Sequence, residues 1–220
     1  GGFAAKDLVQ ITSSQSTFAG SDIGDQLYLT YASGTTVIVS ITSVQSGTVA
    51  TGSLVDAAPI SAQNVATNSW AWARDSYSGL SYLEGKTVGV VGDGEYIGDF
   101  TVSGGVVSLG KPYLKVAIGL KYEAELETLA IAQQAEGLLQ GRMKNVNKVW
   151  LRTLGSKSFY VGPRKSGQLA PALVEQTEDG TEHQVLLPGE WSEDGSIRIV
   201  QTDPVPLMLI GMTAQVALGG

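Results

Sequence analysis

The chain has 220 residues, of which 43% are hydrophobic and only 16% charged, with 28 glycines and a net charge of −7. It has no cysteine, which excludes disulfides, thiolate metal sites and cysteine nucleophiles, and no apolar run long enough to form a membrane-spanning helix. A surface so poor in charge suits a protein that covers part of itself with other subunits.

The N-terminus, GGFAAKDLVQ, has no basic stretch followed by an apolar one, so no secretory signal is read there, and its abrupt start reads as a cut from a longer chain. From Phe3 to Ala58 the residues favour short strands. Leu27–Tyr31, Thr35–Ile41 and Gly47–Leu54 are rich in Val, Ile, Thr and Tyr, with Gly24-Asp25, Ser33-Gly34 and Ser46-Gly47 as turns. Val37, Val39 and Ile41 alternate with Ile38, Ser40 and Thr42, which buries one face and leaves the other mostly polar. Residues 1–58 therefore read as a small antiparallel β-barrel or sandwich, marginal alone at that size. Residues 59–75 read as a linker, since Asp56–Ser69 is small, polar and proline-containing. Trp70 and Trp72 share one face of an extended backbone and are expected to anchor the linker onto the next domain, with a sugar-binding platform as the alternative.

Residues 76–220 form the expected larger antiparallel β-domain. It opens on a meander of Thr87–Val91, a Gly92-Asp93-Gly94 turn, Tyr96–Val102, a Ser103-Gly104-Gly105 turn, Val106–Leu109 and Tyr113–Ile118. Within it stand Ser78-Gly79-Leu80, Leu83-Glu84-Gly85-Lys86-Thr87-Val88, Asp93-Gly94 and Thr101-Val102-Ser103-Gly104-Gly105. Ile118-Gly119-Leu120-Lys121-Tyr122 and Leu126-Glu127-Thr128-Leu129 follow. This ordered series resembles the C-terminal portion of the tail nozzle proteins of short-tailed bacteriophages, also called tail tubular protein B or stabilisation protein. Upstream, Phe18-Ala19-Gly20-Ser21-Asp22-Ile23-Gly24-Asp25 and Ile41-Thr42-Ser43-Val44 resemble the small β-domain that precedes the motif in such proteins. The ending IRIVQTDPVPLMLIGMTAQVALGG resembles the family's C-terminus. Family members are usually much longer, so the chain is expected to be a C-terminal portion or a reduced relative.

The resemblance implies a structural virion protein of the tail, made in the host cytoplasm. It implies a ring of copies, six-fold, beneath portal and adaptor proteins and in contact with tail fibre or tip proteins. Double-stranded DNA would pass through without sequence recognition. No cofactor, reaction or membrane span is implied.

Beyond the meander, Ala130–Gly141 is the best helix candidate: Ile131, Ala135, Leu138 and Leu139 fall near one face, although Gly137 costs about 1 kcal/mol relative to alanine. A single short helix and a loop both fit. Val146–Leu154 and Ser158–Val161 read as strands, followed by an exposed basic loop, Gly162–Gly167. His183–Leu187, Ser196–Gln201 and Leu207–Leu218 complete the strands. Leu207–Ile210 is apolar at every position, so both faces of that strand are expected to be covered. The fold class is all-β with at most one short helix.

The charges are unevenly placed. Between Gly137 and Val174 there is no acid, while Arg142, Lys144, Lys148, Arg152, Lys157, Arg164 and Lys165 supply half of the 14 basic residues. This window is either a basic surface balanced by acids elsewhere in the fold or a strip that docks an acidic neighbour. Glu123, Glu125 and Glu127 alternate on one strand face as a solvated or lumen-facing acidic row. In a DNA conduit, such a lumen would avoid trapping its cargo, because each basic phosphate contact adds affinity through counterion release.

Groups for catalysis are scarce. His183, the only histidine, sits beside Glu182 with no nucleophile motif and reads as a strand-edge structural residue. The run Gly92 to Gly98 comes near a dinucleotide fingerprint but has three residues before its last glycine, and a hairpin turn explains it. Asp93, Glu95 and Asp99 lack the ligand spacing of a calcium loop. The chain reads as no enzyme. The alternative function is a carbohydrate- or receptor-binding β-module of a tail or cell surface, with Trp70, Trp72 and Trp191 as platform candidates.

Overall fold

A computed structural model describes residues 2–131, 141–163, 172–175 and 180–219. Within these the protein is all-β: antiparallel strands, three one-turn 3-10 helices, and sheets that stay open rather than closing into a barrel. The chain forms two compact units, Gly1–Ile118 and Gly119–Gly220. The division therefore falls later than the expected linker over 59–75. Residues from Ser69 onward in that linker are strand, because their neighbours supply a hydrogen-bonded edge that composition does not reveal. The expected helix over Ala130–Gly141 lies almost wholly outside the described residues.

In the first unit, β1 (Leu8–Thr12), β2 (Gln26–Thr30), β3 (Thr36–Ser46), β4 (Val49–Leu54), β5 (Ser69–Tyr77) and β8 (Val107–Tyr113) form one sheet in the order β1-β4-β3-β2-β5-β8. The expected small barrel or sandwich is thus part of an open six-stranded sheet. Its core face follows the period-two alternation: Val39 and Ile41 are each 1% exposed and pack with Leu27, Ala50 and Leu54. β6 (Thr87–Gly92), β7 (Glu95–Thr101) and β9 (Val116–Gly119) form a three-stranded sheet around Val88 and Val90.

Two hairpins in this unit are built alike, 61 positions apart. η1 (Gly20–Asp22) leads into β2 and η3 (Ser81–Leu83) into β6, and the pairs Leu27↔Val39 and Val88↔Phe100 occupy equivalent registers. In the first copy Gly24 N donates to Ile41 O (3.0 Å) and Ile41 N to Asp25 O (2.9 Å). In the second, Gly85 N donates to Val102 O (3.0 Å) and Val102 N to Lys86 O (3.1 Å). Gly24 (φ 101°) and Gly85 (φ 70°) hold the left-handed turn that lets each helical turn reverse into a strand.

Glu84 locks the second copy to the following turn. Its carboxylate accepts hydrogen bonds from Gly104 N (2.9 Å) and Gly105 N (2.7 Å). Glu84→Ala removes the acceptor for both amides and is expected to cost about 1 kcal/mol, the low end for a charge-assisted pair because the side chain is exposed. Faster hydrogen exchange at Gly104 and Gly105 would register it.

The second unit packs two sheets face to face. One runs β10 (Ala124–Glu127), β16 (Ile197–Gln201), β12 (Phe159–Pro163), β13 (Ala172–Val174). The other has β11 (Lys144–Thr153) between β17 (Leu209–Leu218) on one side and β14 (Glu182–Leu186) and β15 (Trp191–Ser192) on the other. Val149, Leu151 and Val161 meet between them at 0% exposure, with Phe159 at 1%. Only one face of Leu207–Ile210 is covered: Leu207 and Leu209 pack against the core, while Met208 and Ile210 are 56% and 55% exposed. The alternation of the backbone turns the second pair outward, and no third layer of described residues lies over them.

Candidate functional site

β11 carries three of the seven basic residues of the window, Lys144, Lys148 and Arg152, and its alternation decides which of them reach the surface. A bulge between Val146 and Lys148 shifts the parity, so Lys144 and Val146 point inward while Lys148, Trp150 and Arg152 point outward. Lys144 is 1% exposed, and its Nζ donates to the carbonyl oxygens of Arg142 and Glu193. A Cβ at Gly195 would sit 3.2 Å from the Lys144 stem, so a glycine gives that stem its room. Lys144 is therefore not a docking residue. The expected basic strip is not one surface: the bulge sends one of its lysines into the protein.

The outward face is a mixed aromatic and cationic one. Lys148 Nζ lies 5.5 Å from the Trp150 ring centroid, in cation–π range. Arg152 Nη2 pairs with Glu182 Oε1 at 3.5 Å, both half-exposed. Cross-strand neighbours set Leu186 and Gln215 beside Lys148, and Gln184 and Thr213 beside Trp150. Leu186 and Trp191 on the same side are 66% and 48% exposed. Arg142 is exposed; Lys157 is half-buried, its backbone N–H donating to Pro206 O (3.0 Å). Arg164 and Lys165, with most of the basic loop, lie outside the described residues.

Glu123, Glu125 and Glu127 line one face at β10, on the edge of the other sheet. Arg198 of β16 grips two of them: Nε reaches Glu125 Oε1 at 2.8 Å and Nη2 reaches Glu123 Oε1 at 3.4 Å. Glu127 Oε1 accepts from Ser196 Oγ (2.9 Å). The row is thus partly neutralised by its neighbour strand, a pairing that sequence spacing could not show.

The most buried ionic cluster among the described residues was not singled out for chemistry by the sequence. Asp22 and Asp25 are 3% and 4% exposed, and Arg74 of β5 bridges them at 3.3 Å and 3.4 Å. Ala19 N donates to Asp22 Oδ2 (2.8 Å), and Asp75 N to Asp25 Oδ1 (3.2 Å). Burial raises the Asp25 carboxyl above its ordinary value, against the Asp75 amide and Arg74, which lower it. The available signal was Gly-Ser-Asp-Ile-Gly-Asp, two acids flanking a turn, but their partner is about fifty residues away in sequence. The arrangement pins β5 to η1, a structural function.

The remaining candidates are separately occupied. Asp93 (φ 51°) accepts from Lys115 N (2.8 Å) and Leu114 N (3.3 Å), whereas Asp99 accepts from Tyr96 Oη (2.6 Å). No group of three metal-ligating side chains gathers among the described residues. His183 is exposed on the edge strand β14. Trp72 meets Phe18 edge-on at 6.2 Å with Arg74 5.2 Å from its own ring, while Trp70 is 50% exposed. Trp70 and Trp72 belong to the first unit and Trp191 to the second. A cavity of ≈ 10 Å³ between Val146, Pro163, Glu190 and Ser192 has room for about one water. No helix among the described residues is long and apolar enough to cross a membrane. No protein-family model matches the chain, and no curated protein matches it.

Proposed function

We propose that the chain is a structural component of a short-tailed phage tail, part of a nozzle whose copies surround the path of ejected DNA. The observation that supports it best is the outer face of the β11 sheet. Trp150, Trp191 and Leu186 lie there around Lys148 and Arg152, the aromatic and arginine composition that protein interfaces favour. The motif residues fit the same reading. Glu84 and Asp93 hold turns, and Gly24 and Gly85 shape them, so the stretch that carries the family resemblance serves architecture. Portal, adaptor and fibre or tip proteins are the expected neighbours, and Glu123, Glu125 and Glu127 the row facing solvent or the lumen.

Native mass measurement tests this directly. A closed ring of copies is expected, six-fold by the resemblance; a strict monomer at high concentration opposes it. A glycan-array hit lost on Trp191→Ala would favour the carbohydrate-binding alternative, for which half-exposed Trp70 and Trp191 are the remaining candidates.

A further inference from the structure

Edge strands leave a sheet open to another chain, and folded proteins guard them with charge, proline or brevity. Most edges here are guarded. β7 carries Glu95 and Asp99, β8 Lys111 and Pro112, β10 Glu125 and Glu127, and β14 Glu182 and His183. β9, β13 and β15 span 4, 3 and 2 residues. Among the described strands two edges differ: β1 (LVQIT) and β17 (LIGMTAQVAL) contain neither charge nor proline.

β17 is the wider opening. It runs for 10 residues, and β11 is the one strand that pairs with it among the described residues. Its inward Leu209, Met212, Ala214 and Val216 touch the core yet stay half-buried, while Val149 and Leu151 of the neighbouring β11 reach 0% exposure. Ile210 and Leu218 are 55% and 45% exposed, and no ionisable side chain occurs from Pro204 to Gly220. A strand added here would cover the half-open row and take up the outward backbone groups.

The charge pattern selects the occupant. A nucleic acid needs cations to meet its phosphates, and a charged peptide finds no complement on an edge without charge. A neutral strand fits, and β1 is a neutral, preformed one whose Leu8 is 70% exposed. In a chain of net charge −7, two neutral edges are where copies approach with least repulsion. We infer that β17 is a strand-addition edge for a second copy of this chain, and that β1 of that copy is the strand it takes. Donor and acceptor edges differ, so the contact is heterologous, and its repetition builds a ring where the rotation between copies closes and an open filament where it does not. The inference rests on the reading that copies assemble, and it names the contact.

The absence of native cysteine makes the test direct. Chains with Gln10→Cys and Thr213→Cys together are expected to give a disulfide-linked ladder of copies under mild oxidation, and Gln10→Lys or Thr213→Lys to weaken self-association at least about tenfold in sedimentation with Tm unchanged. A linked dimer from Thr213→Cys alone overturns β1 as the donor. Assembly that persists in both lysine variants, without linkage in the cysteine pair, overturns the inference while the structural reading stands. A wild-type chain that stays monomeric overturns both.

Discussion

Arg74→Ala is expected to destabilise the first unit by about 3 kcal/mol, because it strands two carboxylates that are 3% and 4% exposed. The value sits at the low end for breaking a buried pair, since the guanidinium is 39% exposed and part of its charge is already screened. Trp72 would also lose its cationic neighbour. The loss should depend on pH with a definite sign. Burial holds the Asp25 carboxyl above its ordinary 3.8, so its contribution to stability is fully present below that value and is lost as pH rises through the folded one. Removing Arg74 removes an interaction that lowers the folded value, which then climbs further. The difference between wild type and variant should therefore be largest near neutral pH and shrink towards pH 4. Urea unfolding across that range, followed at the first-unit tryptophans, measures it; a pH-independent difference would mean that Arg74 acts through packing alone.

Lys144 supplies the second large effect. Lys144→Ala empties a site where the stem is buried against Gly195 and removes the donor to the Arg142 and Glu193 carbonyls, for about 3 kcal/mol lost. Lys144→Met keeps the stem and loses only the donor, so about 1 to 2 kcal/mol is expected. That ordering, alanine worse than methionine, is the readout in urea titrations of the second unit. Wild-type midpoints for both variants would return Lys144 to the surface and to the list of docking cations.

Strand positions were legible in the sequence wherever side chains alternate. Val37, Val39 and Ile41 announce the buried face of β3, and the strand read over Leu207–Leu218 from its β-branched and apolar content forms over Leu209–Leu218. Glycine turns at Gly24, Gly94 and Gly104 were legible too, because only residues tolerant of positive φ serve there. The linker was not: small polar residues before Trp70 look alike in a connector and in the approach to a strand. The basic window misled for a related reason. Composition counts cations along the chain, whereas a one-residue bulge decides which side of the sheet each one takes.

By itself the sequence determined an all-β chain, its strand periodicity and its turns, since those depend on backbone preferences and on neighbours two or three residues away. Tertiary structure alone decided that Arg74 closes over Asp22 and Asp25, that Arg198 grips Glu123 and Glu125, that Lys144 is buried, and that β17 keeps an unguarded edge. Each of those outcomes depends on which strands become neighbours across tens of residues. Pairing is set by burial summed over whole sheets, and no local pattern encodes it.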